Sequence, residues 1–185
     1  TLKRTQASDW AGGIRFGDYK TRYPALLTMS TDSPDNLITD PAELSIGIVC
    51  ASFNSDLCES LLARVTICLQ EKGMLKKLLI ERVPGSNEVP SGIDLILEGT
   101  SFDCMIGLGV VIKGSTSHHH LVAETSGHSL QNLSVKYHTP IINGIVVTDD
   151  LQSAEDRIVG EIDRGKEFAQ AALHMAHLKR KWTRI

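Results

Sequence analysis

Apolar and polar positions in this chain fall into blocks rather than an even mixture, and the blocks alternate in character. Residues 44–50 form a short β-type run, followed by a polar turn and a helical stretch over about 56–72 that Gly73 closes. Residues 78–83 predict a second strand. Residues 90–99 predict a short helix with Ile93, Leu95, Ile96 and Leu97 on its buried side. The run Cys-Met-Ile-Gly-Leu-Gly-Val-Val-Ile at 104–112 is uninterrupted, as expected of a central parallel strand covered on both faces. A helix over about 118–137, a strand at 140–147 and helical segments over about 151–161 and 164–181 complete the series. Strands that alternate with helices predict an α/β three-layer sandwich: about four parallel strands with helices on both faces.

Residues 1–43 break this pattern. They are rich in Ser, Thr, Asp and Pro and show no sustained period, so they read as an N-terminal extension ahead of an α/β domain at 44–185. The extension carries Asp32, Asp35, Asp40 and Glu43, unlike an acid-poor transit peptide, so a cytoplasmic location is expected with organellar import left open.

The chain has 185 residues, 42% of them apolar, with a formal net charge of -3, which predicts a folded domain and no overall basic field for nucleic acid. Lys179, Arg180, Lys181 and Arg184 cluster at the C-terminus, where such charges commonly satisfy the last carbonyls of a helix. No apolar run reaches the ~18 residues needed to cross a bilayer, so no membrane partner is expected. Cys50, Cys58, Cys68 and Cys104 are scattered, three of them among apolar residues, and read as reduced thiols.

In open parallel sheets ligands bind beyond the carboxyl ends of the strands. In this sequence those ends lead into residues 50–54, 83–88, 112–118 and 143–149. In the third loop Gly114, Ser115 and Thr116 run from a buried strand into a helix, an arrangement that suits an anion such as phosphate; a Ser/Thr N-cap without any ligand fits the spacing equally well. His118 follows as a candidate proton carrier. His119 and His120 could suggest a metal, but successive helix residues diverge by about 100°, so three neighbours do not share one ion and no metal is expected. In the second loop Glu88 stands between Pro84 and Pro90, where it could bind a polyol or simply sit at the start of a helix. Phe53 and Asn54 end the first strand, where Phe53 could stack on a planar ring or belong to the core.

Taken together these segments resemble the lumazine synthase family, over about residues 46–180. Val83-Pro84-Gly85-Ser86 with Glu88 and Pro90 is similar to the family's V-P-G-[SA]-x-E-[IL]-P segment, and residues 108–118 to its L-G-x-V-I-[RK]-G-x-T-x-H segment. Thr139-Pro140-Ile141-Ile142 with Gly144, Ile145 and Thr148, then residues 154–157, then Gly165 with Ala169, Ala172, Met175 and Ala176, continue the likeness in order.

The resemblance implies a flavodoxin-like fold and a cofactor-free transferase of riboflavin biosynthesis. The reaction would condense 5-amino-6-ribitylamino-pyrimidinedione with 3,4-dihydroxy-2-butanone 4-phosphate to 6,7-dimethyl-8-ribityllumazine, with release of phosphate and water. It implies that Ser115, Thr116 and Arg157 hold the phosphate and His118 moves protons. Phe53 would stack on the pyrimidine, Asn54 and Glu88 would bind ribityl hydroxyls, Ser86 and Asn87 would also contact substrate, and the backbone at Val111 and Ile112 would meet the ring's polar edge. It further implies homopentamers, or icosahedral shells of pentamers, with sites shared between neighbours and Asn143 near the adjacent subunit's site.

The chain departs from the family at several points. Asn87 and Asn143 stand where aromatics are common, and 160–165 is about one residue short, with Arg164 nearest the expected Lys. His119 and His120 also replace residues that usually differ. Asn87, Asn143 and the shortened loop support the alternative of a non-catalytic, flavin-binding or assembly-forming relative.

Overall fold

The computed structural model describes residues 41–183. The expected extension therefore lies, but for its last residues, outside the described part, as does Arg184. Within it the chain alternates strand and helix: β1 Ser45–Ala51, α1 Ser55–Glu71, β2 Lys77–Val83, α2 Val89–Gly99, β3 Cys104–Ile112, α3 His118–Lys136, β4 Ile141–Thr148, α4 Leu151–Ile158 and α5 Arg164–Thr183. The four strands form one parallel sheet in the order β2-β1-β3-β4. Helices α1, α4 and α5 pack together on one face, and α2 and α3 on the other.

Position in the sheet explains the sequence of each strand. β1 and β3 are interior strands with helices over both faces, so a polar side chain on either would lie buried without water. Ile46, Ile48, Val49, Cys50, Ala51, Cys104, Met105, Ile106 and Leu108 are accordingly all fully buried. β2 and β4 are edge strands and tolerate Lys77, Glu81, Arg82 and Asn143. Helix α2 corrects one expectation: Ile93 and Leu97 are buried four residues apart, whereas Leu95, two residues from each, falls on the far side and is 72% exposed. The helices α4 and α5 start on acidic residues: Asp150 Oδ1 accepts from the Ser153 amide at 2.7 Å, and Asp163 Oδ1 from that of Lys166 at 3.0 Å.

Two residues of the basic cluster, Lys179 and Arg180, do something other than satisfy the end of their own helix. Lys179 Nζ donates to the Phe102 carbonyl at 2.8 Å and to Thr139 Oγ1 at 2.7 Å. Arg180 forms a fork onto Asp103, with Nε and Nη2 donating at 2.8 and 2.9 Å, and Asp103 also accepts from the amide of Ser45 at 2.7 Å. These contacts fasten the end of α5 to the amino ends of β1 and β3, opposite the edge where the loops converge. All four cysteines are buried and free. Among the described residues no helix is long and apolar enough to cross a membrane.

Candidate active site

The carboxyl ends of β1, β2 and β3 open onto a cavity of about 740 Å³. Its wall includes Phe53 and Asn54 from the first loop, Pro84 to Glu88 from the second, and Val110, Val111, Ile112, Gly114, Thr116 and His118 from the third strand and its loop. The strand ladder places the first two loops side by side: the amide of Ser52 donates to the Val83 carbonyl at 2.8 Å, and that of Phe53 to the Pro84 carbonyl at 2.9 Å. With its backbone so fixed, the Phe53 ring stands 71% exposed at the cavity wall and is no part of the core.

Asn54 takes a left-handed conformation, φ 56° and ψ 50°, which Asn tolerates better than most residues. It turns the chain into α1. Its side chain makes no capping bond; instead Nδ2 donates to the Val110 carbonyl at 2.9 Å, which leaves the amide oxygen as the acceptor Asn54 has to offer.

The second loop rests on the sheet. Ser86 is buried, and a Cβ built on Gly109 of β3 would collide with its Oγ, so the loop sits where a strand residue has no side chain. A Cβ at Gly85 would come within 2.9 Å of Glu88 Oε2, so Gly85 makes room for that carboxylate. Glu88 occupies the N-cap position of α2, as the helix-start reading expects, but its side chain makes no capping hydrogen bond. Asn87 Oδ1 accepts from Thr125 Oγ1 of α3 at 3.4 Å.

The third loop leads into α3 after Ser117, whose side chain likewise makes no capping bond, so the amide groups of the helix start are not answered by a local hydroxyl. His118 stands exposed at this start, on the cavity wall. Below the first loop, the Cys58 thiol donates to the Phe53 carbonyl at 3.2 Å. Its bond with Cys58, reinforced by burial, pushes the Cys50 thiol far up.

Four expected residues do not line this cavity. Ser115 is exposed in the third loop, one residue before Thr116. Asn143 lies on the edge strand β4, with Oδ1 accepting from the Ile145 amide at 3.1 Å. Arg157 donates from Nη1 to the Ser153 carbonyl of its own helix at 3.1 Å, and Arg164 pairs with Glu167 at the start of α5. The wall also holds residues the sequence reading did not select: His119, Leu121, Val122 and Thr125. The signal for the last three was present, since they follow His118 at three, four and seven residues and share its helix face.

An open parallel sheet whose loops enclose an apolar-walled, polar-rimmed cavity at the strand carboxyl ends defines a small-molecule site of the flavodoxin-like class. Comparison with known proteins sharpens this. The family model for 6,7-dimethyl-8-ribityllumazine synthase matches residues 43–180, and the chain belongs to that family. Proteins named 6,7-dimethyl-8-ribityllumazine synthase are similar to it over most of their length. That of Polaromonas sp. is 37% identical over 143 residues, 75% of this chain and 89% of the relative. That of Nitrosomonas europaea is 38% identical over 136 residues, 73% and 81%. That of Parabacteroides distasonis is 33% identical over 144 residues, 77% and 90%.

Proposed function

We propose that this chain is a lumazine synthase, a transferase that condenses 5-amino-6-ribitylamino-pyrimidinedione with 3,4-dihydroxy-2-butanone 4-phosphate in riboflavin biosynthesis. The observation that carries this reading is the convergence of three strand ends on one cavity, bringing Phe53, Asn54, Glu88, Thr116 and His118 to a common wall. Family membership supports it.

In this reading the pyrimidine stacks on Phe53, with its polar edge toward the backbone at Val111 and Ile112. The ribityl hydroxyls meet Ser86, Asn87 and Glu88 and donate to the Asn54 amide oxygen. The helix start after Ser115 and Thr116 receives the phosphate, because the amide N–H groups and the positive dipole end at a helix start favour an anion. His118 takes and returns protons while the imine forms and phosphate leaves; its exposure lets it exchange with solvent. Holding two reactants side by side supplies much of the rate.

Arg157, Arg164 and Asn143 enter through assembly. We place them in sites completed between copies of the chain, in a pentamer or a shell of pentamers, so that Arg157 grips the phosphate of a neighbouring cavity through paired hydrogen bonds. Four buried, unbridged thiols support a cytoplasmic setting.

The test is lumazine formation from the two substrates, followed by absorbance beside a His118→Ala control. Turnover above the spontaneous condensation is expected from wild type, with a loss of about 100-fold or more in the variant; a wild type no faster than the spontaneous reaction sinks the reading. Mixing inactive His118→Ala and Arg157→Ala proteins after reversible dissociation checks shared sites. Recovered activity is expected if each cavity takes its arginine from a neighbour.

A further inference from the structure

Helix α4 spans only Leu151–Ile158, about two turns, too short to hold itself without anchors at its ends. Asp150 anchors its start. At its other end the cap residue is Val159, whose carbonyl is one of those a helix leaves without a partner of its own. Arg64, from the middle of α1, reaches that carbonyl, with Nη2 donating at 3.1 Å. The second arm of the same guanidinium, Nη1, pairs with Asp163 Oδ2 at 2.9 Å, while Asp163 Oδ1 caps α5 through the Lys166 amide. One side chain of α1 thus fastens the end of α4 to the beginning of α5. Gly165 completes the seat: a Cβ there would come within 2.5 Å of Arg64 Cβ and 3.2 Å of the Leu61 carbonyl oxygen.

The turn held in this way has Arg157 before it and Arg164 after it. Arg164 is anchored by Glu167 of its own helix. Arg157 bonds to the Ser153 carbonyl one turn back along α4, so its guanidinium goes where the end of α4 goes. The Arg64 and Asp163 side chains are 37% and 30% exposed, and an ion pair so open to solvent contributes little to stability. What it fixes is position, because a planar guanidinium that is always charged sets the spacing of its two acceptors. Helix α1 also begins directly after Phe53 and Asn54, so the helix that carries one cavity's wall holds the turn next to Arg157.

We propose that Arg64 is a positioning residue: by bridging the Val159 carbonyl and the Asp163 carboxylate it aims Arg157 at the phosphate of 3,4-dihydroxy-2-butanone 4-phosphate. The inference rests on the functional reading above, in which Arg157 grips that phosphate in a neighbouring cavity. A displacement of about 1 Å in such a group is enough to cost affinity and rate.

Calorimetric titration of each substrate, separately, into the assembled wild type and its variants reads the outcome. Arg64→Ala is expected to weaken the butanone phosphate about tenfold and to leave the pyrimidine within about twofold. Its thermal midpoint should stay within about 4 °C of wild type. Asp163→Asn keeps an oxygen for the Lys166 amide but gives up the ion pair, so it should weaken the same substrate, and it reads the same comparison if Arg64→Ala fails to fold. In an Arg157→Ala background, where the grip is already lost, adding Arg64→Ala should change the butanone phosphate affinity by less than about twofold.

Unchanged affinity for the butanone phosphate in Arg64→Ala and Asp163→Asn overturns the proposal. Equal weakening of both substrates also overturns it, in favour of a packing role, and a full further loss in the Arg157→Ala background shows that Arg64 does not act through Arg157. A wild type no faster than the spontaneous condensation ends the functional reading and this inference together. Wild-type turnover with unchanged binding in Arg64→Ala ends the inference alone.

Discussion

The side-chain amide of Asn54, at the end of β1, donates to the backbone carbonyl of Val110 on β3 at 2.9 Å. One residue thereby turns the chain into α1, sets the position of Phe53 and ties two strand ends that border the cavity.

The two jobs of Asn54 separate by substitution. Asn54→Ala is expected to lose about 2 kcal/mol, roughly half from the missing hydrogen bond and half from alanine in a left-handed conformation. Asn54→Gly restores the backbone freedom but not the bond, so it should recover about 1 kcal/mol and still bind the ribityl substrate weakly. Urea unfolding and substrate titration measure the two effects independently.

Gly109 is expected to admit no side chain. In Gly109→Ala the new methyl meets Ser86 Oγ, so the second loop must lift from the sheet and carry Glu88 with it. A loss of about 1–3 kcal/mol is predicted. Substrate affinity should fall more than in Ser86→Ala, which removes the obstructing oxygen, and the double variant should recover part of the loss.

The fork between Arg180 and Asp103 predicts an asymmetry. Arg180→Ala removes one partner from a pair whose side chains are 20% and 14% exposed, whereas Asp103→Ala also strips the Ser45 amide of its acceptor. Asp103→Ala should therefore be the more damaging, by about 1 kcal/mol in denaturant unfolding. Activity of the folded fraction should be unchanged in both, since the pair lies at the sheet edge opposite the cavity.

Alkaline pH should weaken the fold through Cys104. Burial pushes its thiol well above the usual thiol range, with Lys179 opposing. In the unfolded chain this thiol ionises above about pH 8.5, while in the folded chain it keeps its proton. The unfolded state then binds fewer protons, so stability falls as pH rises, by up to about 1.4 kcal/mol per pH unit for this group between roughly pH 8.5 and 10.5. Cys104→Ala should be less stable at pH 7 but show a shallower alkaline slope in urea unfolding.

The interior strands were readable because burial on both faces forces long apolar runs, and 104–112 matches β3 to the residue. Leu95 shows where reading fails: in a short helix rich in aliphatics, composition does not reveal which of them faces water, and only the four-residue spacing of Ile93 and Leu97 marks the inner side. Residues of the first three loops were identifiable because each sits directly after a strand whose end is fixed. Arg157 and Arg164 lie two and three elements further on, and their distance from the cavity follows from the path of α4 and α5 on the opposite face from α3, which no local pattern encodes. The bond from His119 to Thr116 was equally hidden, since three adjacent histidines look alike until the helix buries one of them.

The seating of Ser86 over a strand glycine has a consequence for the thermodynamics of ligand capture. A loop keyed into the sheet in this way loses its freedom while the chain folds, so little entropy remains to be lost when a small molecule arrives. Association at this edge should proceed with small backbone rearrangement, and the rate at which ligand enters should depend on reaching the opening rather than on waiting for a wall to assemble.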